Sequence, residues 1–548
     1  MKKIYTKILC FAVACSFAAC DDFLSEYSQD LVVAKSVDHL DEVLLGSVYV
    51  SPFSVYNPTG TVTCGFFNIL DDDVNTAMGS GMNKTVPYNN YTNTDENFGY
   101  FTWQAEVGLK RDGNKNDDDA TWNDMYQRIN YVNVILDEIE EMPHETEKDL
   151  ATYYRVKGEA HFLRGQFYLI LTNLYGKPYH ATTAAKNLSV PLKLTPFVEH
   201  DAQKDTQFER ATVQQIFDQI VSDLTASVEF LTISPQNARN RFHRASAEAA
   251  NLLLSRVYLY MQEWSLAEAA ADEVIKSKNF RLAELSALVD EVYFLNKENP
   301  EAIFSQGQNN LPQDQTNGEL PFSAFGGSYC VSSDLANLYD QENDRRYACF
   351  FGITPRGFQT GECDSLALHN KFEAPKNQKA RYSDVFGLRL SEAYLNKMEA
   401  CAMQGHTDDA NDLLNTLRAK RIDNYVAETY ENEELISQIR NERRKELCFE
   451  GHRWFDLRRY AVNDLYPFKK QIVHVMNVVN SHGNQSKTMT YILEEDDLAY
   501  TFALPKKVIE FDKVPMENNK RETRKSQEEL HPELDNEGKP VRPILPIK

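Results

Sequence analysis

Helical hydrophobic patterns come in pairs along this 548-residue chain, and they constrain the fold more than any other feature. Residues 245–261 (ASAEAANLLLSRVYLYM) place apolar side chains on one broad face, and QEW then leads into a second helical pattern, SLAEAAADEVIKS. Residues 389–403 (RLSEAYLNKMEACAM) are followed in the same way by QGHTDD and ANDLLNTLRAKR. Both pairs share one layout, which is a long helix, Met-Gln, a short turn and an Ala-containing second helix.

The sequence also indicates where the second helices begin. Ser265 and Glu268 have the spacing of a capping box, and Thr407 is predicted to cap a helix whose first turn contains Asp408 and Asp409. The layout resembles the tetratricopeptide unit, a helix pair that must stack on neighbours to cover its apolar face. Two further pairs are predicted, at 120–141 with 150–174 and at 212–231 with 245–261. The predicted fold class is mostly α, a tetratricopeptide-like helical repeat scaffold covered by long loops, with minor short β-strands.

Segments without helical period separate the helix pairs, and one of them contains a predicted strand at 471–479 (QIVHVMNVV). After a signal peptide at 1–19, we predict a single domain over 20–548, because the helix pairs need one another for burial. Its predicted parts are an aromatic and polar loop region at 51–119, helix pairs at 120–280, a loop-rich insert at 281–385, the last helix pair and a basic helix at 386–460, and an irregular C-terminal region at 461–548.

The first twenty residues have the pattern of a lipoprotein signal. Three lysines precede an apolar stretch at 8–19, and two alanines lie directly before Cys20. This pattern predicts cleavage before Cys20 and acylation of its thiol; the signal is too short to span a bilayer. Cys15 is the competing site, and ordinary secretion with Cys20 as a free or disulfide-bonded residue is the alternative.

One basic segment stands out in a chain of net charge −23 and pI near 5.0, values that argue against nucleic acid as the main partner. This segment is RNERRKELCFEGHRWFDLRRY, residues 440–460. Three roles are considered for it: binding of nucleic acid, binding of a membrane surface, or a purely structural role. Glu442, Glu446 and Glu450 are spaced i, i+4 beside arginines and lysines, and Gly451 offers a helix break. We predict that these charges are paired within the segment and that its role is structural.

Motifs for metal binding and catalysis are absent from the sequence. The six cysteines after Cys20 are scattered without a CxxC pair, which predicts neither a zinc site nor a dense disulfide framework; Cys401 and Cys448 are predicted to be buried thiols. Oxygen-bearing side chains from Asp112 onward are spaced as in a calcium loop, but the Gly and Glu that such a loop requires are missing. Capping of the following helix explains these acidic residues more simply. No HExxH, GxSxG, P-loop or GxGxxG occurs, so we predict no enzyme, no cofactor and no metal.

Four motifs together resemble the SusD/RagB family of outer-membrane nutrient-binding lipoproteins of Bacteroidetes. They are the lipobox, YYRVKGEAHFLRGQFYLILTNLYGKPY, RLSEAYLNKMEACAM and NERRKELCFEGHRWFDLRRY. The last motif matches the family pattern at Glu442, Arg443, Glu446, Leu447, Phe449, Glu450, Gly451, Arg453, Asp456, Leu457 and Arg459. The C-terminal sequence departs from the family pattern.

The resemblance implies a lipid-anchored protein on the outer membrane, facing the cell exterior. It implies binding of a glycan and its delivery to a SusC-like TonB-dependent transporter, without catalysis. Two alternatives are a peptide-binding, RagB-like member of the family and a repeat scaffold that binds no small ligand.

Sugar recognition needs flat apolar faces and polar groups for hydroxyls, so loops that mix aromatic residues with Asn and Thr are the expected site. The first such loop, residues 85–103 (TVPYNNYTNTDENFGYFTW), offers Tyr88, Tyr91, Tyr100 and Trp103. The alternative is that these rings pin a long loop to the scaffold.

The second loop, residues 309–330 (NNLPQDQTNGELPFSAFGGSYC), offers Asn310, Phe322, Phe325 and Tyr329. Asp72 is expected to add a hydrogen-bonding carboxylate, with a solvated turn or a helix cap as the alternative.

Overall fold

Helices dominate the part of the chain that the structure describes. The computed structural model describes residues 34–50, 64–76, 96–196, 208–235, 242–285, 293–296, 298–307, 329–354, 365–368, 371–372, 382–479, 485–511 and 513–530. Its α-helices are α1 Val37–Val43, α2 Phe98–Phe101, α3 Ala120–Glu138, α4 Glu147–Tyr175, α5 Val213–Ile233, α6 Ala247–Met261, α7 Trp264–Lys276, α8 Ser333–Ala336, α9 Arg345–Phe350, α10 Leu390–Met403, α11 Thr407–Arg418, α12 Asn432–Leu447, α13 Arg453–Ala461 and α14 Lys506–Ile509.

The described part of the chain also contains short antiparallel strands. They are β1 Val74–Thr76, β2 Ala302–Ser305, β3 Tyr329–Val331, β4 Phe351–Thr354, β5 Ser365–Leu368, β6 Gly387–Arg389, β7 Ile472–Val479, β8 Gln485–Leu493 and β9 Gln527–Leu530. They pair as β1–β3, β2–β6, β4–β5 and β7–β8–β9. The predicted strand at 471–479 is confirmed as β7. Among the described helices, none combines the length and apolar character needed to cross a membrane.

The long helices form one continuous array in which each packs on its neighbour. Helices α3, α4, α5, α6 and α7 contact one another in chain order, and α7 then packs against α10, which contacts α11 and α12. The contact between α7 and α10 continues the array across residues 281–385, which separate the two helices in sequence. The predicted helix pairs and the mostly α fold class are therefore confirmed.

Local sequence explains the start of α5 and the close packing of α4 against it. Thr212 and Gln215 form a reciprocal capping box at the start of α5. On α4, a Cβ added at Gly158 would lie 2.7 Å from the Leu231 side chain of α5, so glycine permits the close approach of the two helices.

Two predicted helix caps are wrong. Helix α7 begins at Trp264 without a side-chain cap, so the box expected from Ser265 and Glu268 does not form. Helix α11 begins at Thr407, and His406 rather than Thr407 occupies the cap position.

The basic segment, residues 440–460, spans most of α12 and all of α13, and its acids hold a buried ion cluster. Glu446, which is fully buried, accepts hydrogen bonds from Arg389 at 2.7 Å, Arg421 at 2.8 Å and Arg346 at 3.0 Å. Glu301 completes the cluster by accepting from Arg389 at 3.0 Å and Arg421 at 2.6 Å. The cluster therefore ties α12 to the ends of α11 and β6, to α9 and to the start of β2.

The predicted structural role of residues 440–460 is supported by this burial, but the predicted pairing within the segment is only partly right. Arg443 does pair with Asp456 inside the segment, at 2.8 Å, whereas the partners of Glu446 come from other elements. Arg459 binds Glu399 of α10 through two bonds of 2.7 Å. Arg458 donates to the carbonyl oxygens of Asn173 and Gly176, which lie outside the segment.

These carboxylates make acid-induced unfolding the expected behaviour. Burial raises the pKa of Glu446, but the Arg421 and Arg389 guanidiniums outweigh it and hold the pKa well below its usual range. Burial also raises the pKa values of Glu442 and Asp456. The guanidiniums of Arg346 beside Glu442 and of Arg443 beside Asp456 outweigh this effect, so both pKa values are lowered. The unfolded chain, with carboxylate pKa values near ~4, therefore takes up protons at a higher pH than the folded chain.

We expect the free energy of unfolding contributed by these groups to be complete above about pH 4.3 and to fall progressively as the pH decreases below it. Urea titrations at about pH 7, 5, 4 and 3 would measure this dependence. Stability that is unchanged on reaching the lowest pH would contradict the prediction.

Candidate functional site

The two aromatic loops predicted to bind a ligand attach to the scaffold at one paired position. Strands β1 and β3 are antiparallel, with Val74 opposite Val331 and Thr76 opposite Tyr329. Residue 76 precedes the first loop in sequence and residue 329 lies at the C-terminal end of the second, so one end of each loop is held near this pair. The side chain of Asn75 also accepts a hydrogen bond from the backbone N–H of Val475, at 2.9 Å, which holds the pair against β7. We call β1, β3, α2 and β7 the loop platform.

The loop platform is built on a stack of rings. His474 of β7 lies between Phe101 and Trp103, with ring centroids 4.2 and 4.3 Å away, and Phe101 in turn contacts Tyr329 at 5.2 Å. The two ring nitrogens of His474 lie 2.7 Å from the carbonyl oxygens of Phe101 and Asp71. Burial lowers the pKa of His474 to about 4, although both carbonyl contacts act in the opposite direction.

Trp103 and Tyr329 are part of this stack, and the expectation of direct ligand contact at both is corrected. Each is only 1% exposed. The Trp103 indole N–H donates to the carbonyl of Leu70 at 2.8 Å, and the guanidinium of Arg524 lies 5.8 Å from the ring centroid. Because the indole is buried and satisfied, no flat face is open to a sugar. The alternative, in which the rings pin the loop to the scaffold, describes them correctly.

Tyr100 has a similar structural role. Its ring stacks on Phe66 with centroids 4.2 Å apart and lies 6.1 Å from Phe502. Burial raises the pKa of its hydroxyl above the usual value. These contacts pack Tyr100 against the core, but its side chain is only partly buried, so ligand contact at Tyr100 stays a prediction.

Asp72 is neither a ligand contact nor part of a solvated turn. Its side chain is buried, and its carboxylate is paired with cationic side chains through four hydrogen bonds or ion pairs. Arg453 donates to both of its carboxylate oxygens, at 2.7 and 2.9 Å, while Arg444 lies at 3.1 Å and Lys470 at 2.6 Å. Burial raises the pKa of Asp72, but Arg453 and Arg444 outweigh it and hold the pKa well below its usual range. Asp73 binds Arg444 at 2.6 Å in the same way. The acids therefore fasten the loop platform to α12 and α13.

The remaining predicted contacts, Tyr88, Tyr91, Asn310, Phe322 and Phe325, lie outside the described residues. Cys20, the predicted acylation site, does so as well. The predictions at these positions stay predictions.

A cleft of about 490 Å³ forms a concave surface that the sequence did not indicate. Trp122 and Tyr126 of α3 line it, and Phe208 and Phe511 face each other across 6.1 Å. Phe511 is 66% exposed, so its ring is open to solvent. The sequence contains no signal for this cleft, because Phe208 and Phe511 lie far apart in the chain.

Polar groups accompany these rings. The ammonium group of Lys193 donates to the Asn130 side chain at 2.8 Å, and burial lowers the pKa of this lysine. The Tyr126 hydroxyl donates to the carbonyl of Pro191 at 2.6 Å. The cleft thus combines ring faces with hydrogen-bonding groups, the two requirements of sugar recognition.

The acids that resemble a calcium loop form an ordinary turn. Asp112 accepts from the backbone and side-chain nitrogens of Asn114, at 2.9 and 2.7 Å. Asp119 occupies the cap position of α3 but makes no side-chain cap bond, so helix capping does not account for these acids. Lys507 pairs with Asp117 at 2.8 Å instead.

The helical array and the loop platform define a class of protein, a helical repeat scaffold that carries long loops. Two family models match this chain. The first is described as "Starch-binding associating with outer membrane" and matches residues 61–259; the second, described as "SusD family", matches residues 367–544. A SusD-like protein of Formosa agariphila is 24% identical over 385 residues, covering 62% of this chain and 71% of the relative.

Solved structures show the same fold. A SusD superfamily protein of Bacteroides thetaiotaomicron superimposes with a TM-score of 0.64 and 22% identity, covering 89% of this chain and all of that structure. A putative sugar binding protein of Bacteroides vulgatus gives a TM-score of 0.63 and 22% identity, covering 89% and 98%. The chain belongs to the SusD family, and the resemblance predicted from its motifs is confirmed.

Proposed function

We propose that this protein is a surface-exposed outer-membrane lipoprotein that binds a glycan and delivers it to a SusC-like TonB-dependent transporter. Membership of the SusD family supports the proposal, as does the similarity to a structure described as a sugar binding protein. The function is binding without catalysis.

The observation that carries the proposal is the joint attachment of two loops rich in aromatic and amide residues at the Thr76–Tyr329 pair. Two such loops that each have one end at this pair can present ring faces and amide groups to the same ligand. We therefore propose that Tyr88, Tyr91, Asn310, Phe322 and Phe325 contact the glycan, while the buried rings beneath them hold the loops in place.

A glycan array followed by calorimetry, on protein that starts after Cys20, tests this function. We expect a glycan to bind and the double variant Tyr88→Ala/Tyr91→Ala to weaken it at least ~10-fold, since losing one central aromatic contact typically costs ~1–2 kcal/mol. A variant with Trp103→Phe keeps a ring in the buried stack, so its affinity should remain unchanged even if its stability falls.

Phe511→Ala is the matched control, because it removes an exposed ring in the cleft rather than in the loops. Retained affinity in this variant, with loss in the tyrosine variant, supports the loop site. The reverse pattern would place the glycan in the cleft beside Trp122. Binding of peptides with no glycan affinity would overturn the proposal in favour of a peptide-binding member, and stable protein partners without any small ligand would favour a scaffold.

A further inference from the structure

Three side chains with metal-binding atoms meet where two successive helix pairs pack together. Glu268 lies on α7, Cys401 in the last turn of α10 and His406 at the cap position of α11. One carboxylate oxygen, the thiol sulfur and one imidazole nitrogen all lie within 4.8 Å of one another. We propose that Glu268, Cys401 and His406 bind one Zn²⁺ ion.

The separation of two of the ligand atoms fits a tetrahedral ion. Zn²⁺ takes sulfur, nitrogen and oxygen ligands at about 2.0–2.3 Å, so neighbouring ligand atoms in a tetrahedron lie roughly 3.3–3.8 Å apart. The Nδ1 atom of His406 is 3.6 Å from the Oε2 atom of Glu268, which is inside this range and too long for a strong hydrogen bond. The Cys401 thiol is within hydrogen-bonding reach of the same carboxylate.

The backbone and a neighbouring side chain hold the ligands in place. The N–H of His406 donates to the carbonyl of Cys401 at 2.9 Å, across a turn in which Gly405 has a φ of +78°. The side chain of Gln404 donates to Oε2 of Glu268 at 2.8 Å. Such outer contacts orient metal ligands and typically change metal affinity about 10- to 100-fold.

The donor set selects the class of metal. Imidazole and thiolate are ligands that Zn²⁺ prefers, whereas Ca²⁺ and Mg²⁺ prefer oxygen. Cys401 is fully buried, but the His406 side chain is 49% exposed, which leaves an entry path and room for water as the fourth ligand. Binding displaces the thiol proton to solvent, so that thiolate and carboxylate together balance the charge of the ion.

The charges around Cys401 are mixed in sign. Asp409 and Lys397 both interact with Cys401, and Lys397 is neutralised by Asp272 at 2.6 Å. A bound ion would bridge α7 to the α10–α11 turn, joining two repeats of the array. No zinc motif marks these residues in the sequence, because Glu268 is distant from Cys401 and His406 in the chain.

Calorimetry with Zn²⁺, on untagged protein that starts after Cys20, tests the proposal. We expect one saturable Zn²⁺ site per chain, a rise in Tm with Zn²⁺ and no rise with Mg²⁺. Co²⁺ should produce the sulfur-to-metal charge-transfer absorption of a thiolate ligand. The Gln404→Ala variant should bind Zn²⁺ about 10-fold more weakly or worse.

Two ligand variants and one control decide the outcome. His406→Ala changes a half-exposed side chain, so the variant should fold while losing the site; Cys401→Ser should lose the Co²⁺ absorption band. The control variant Cys349→Ser changes a partly buried thiol elsewhere in the protein. It should keep both the Zn²⁺ site and the Co²⁺ absorption band. If the wild-type protein shows no saturable binding, or if His406→Ala binds Zn²⁺ as tightly as the wild type does, the proposal is wrong.

Discussion

Replacing Glu446 by Gln is expected to lower the free energy of unfolding by about 3–5 kcal/mol, the usual cost of removing one partner from a buried ion pair. The substitution preserves shape but removes the negative charge that Arg346, Arg389 and Arg421 share. All three guanidiniums are at most 1% exposed, so water cannot replace the lost partner. Since native proteins are stable by only ~5–15 kcal/mol, the effect removes a large part of the total.

Urea unfolding measures this change, or the half-life at fixed temperature does if unfolding is irreversible. Glu434→Gln is the matched control, because it changes an exposed acid in the first turn of the same helix and should cost less than ~1 kcal/mol. Adding Arg421→Met to Glu446→Gln should cost less than the sum of the two single changes, because it removes one of the unpaired cations. A Glu446→Gln protein within ~1 kcal/mol of wild type would show that the cluster contributes little.

The helical scaffold was predictable because its determinants are local. Periodicity placed α3 to α7 and α10 to α12, and the cap at Thr212 marks the start of α5. The prediction failed where a local signal competes with a distant partner. Glu268 has capping-box spacing from Ser265, yet its carboxylate accepts from Gln404 of the neighbouring helix pair.

The candidate site was less predictable because distant contacts decide which polar and aromatic residues are exposed. Trp103 follows a loop rich in Asn and Thr, which suggested exposure, but its ring stacks on His474. Asp72 was expected to be solvated or to contact ligand, and its main partner, Arg453, is 381 positions away. No periodicity or spacing in one sequence reveals a pair of that separation.

An aromatic residue in these loops can have either of two roles, which are packing at the base of the loops and contact with a ligand. The buried rings of Phe101, Trp103 and Tyr329 stabilise the base of the loops, and their replacement should act on stability first. A loss of ligand affinity in a Trp103→Ala variant would therefore not identify a ligand contact. For that reason the binding experiment compares the loop tyrosines with exposed Phe511, whose removal leaves the core intact.

Replacing Cys20 by Ala is expected to abolish lipid attachment and, with it, retention in the outer membrane. Acylation requires the thiol, and the two alanines before Cys20 predict that it lies at the cleavage position of a lipoprotein signal. Each buried methylene contributes ~0.8 kcal/mol, and one acyl chain binds only marginally, so a protein without its chains should appear in the soluble fraction. Metabolic labelling with an alkyne fatty acid, followed by membrane fractionation in a Bacteroides host, measures both effects.

Cys15→Ala is the matched control, since Cys15 is the only other cysteine of the signal region preceded by a run of small apolar residues, Ala12-Val13-Ala14. It should keep the label and the membrane location, because cleavage before Cys15 would shorten the apolar stretch that begins at residue 8. Label that persists in Cys20→Ala and disappears in Cys15→Ala would move the anchor to Cys15. Label absent from the wild-type protein would instead indicate ordinary secretion, and a surface-anchored role in glycan delivery would then lose its physical basis.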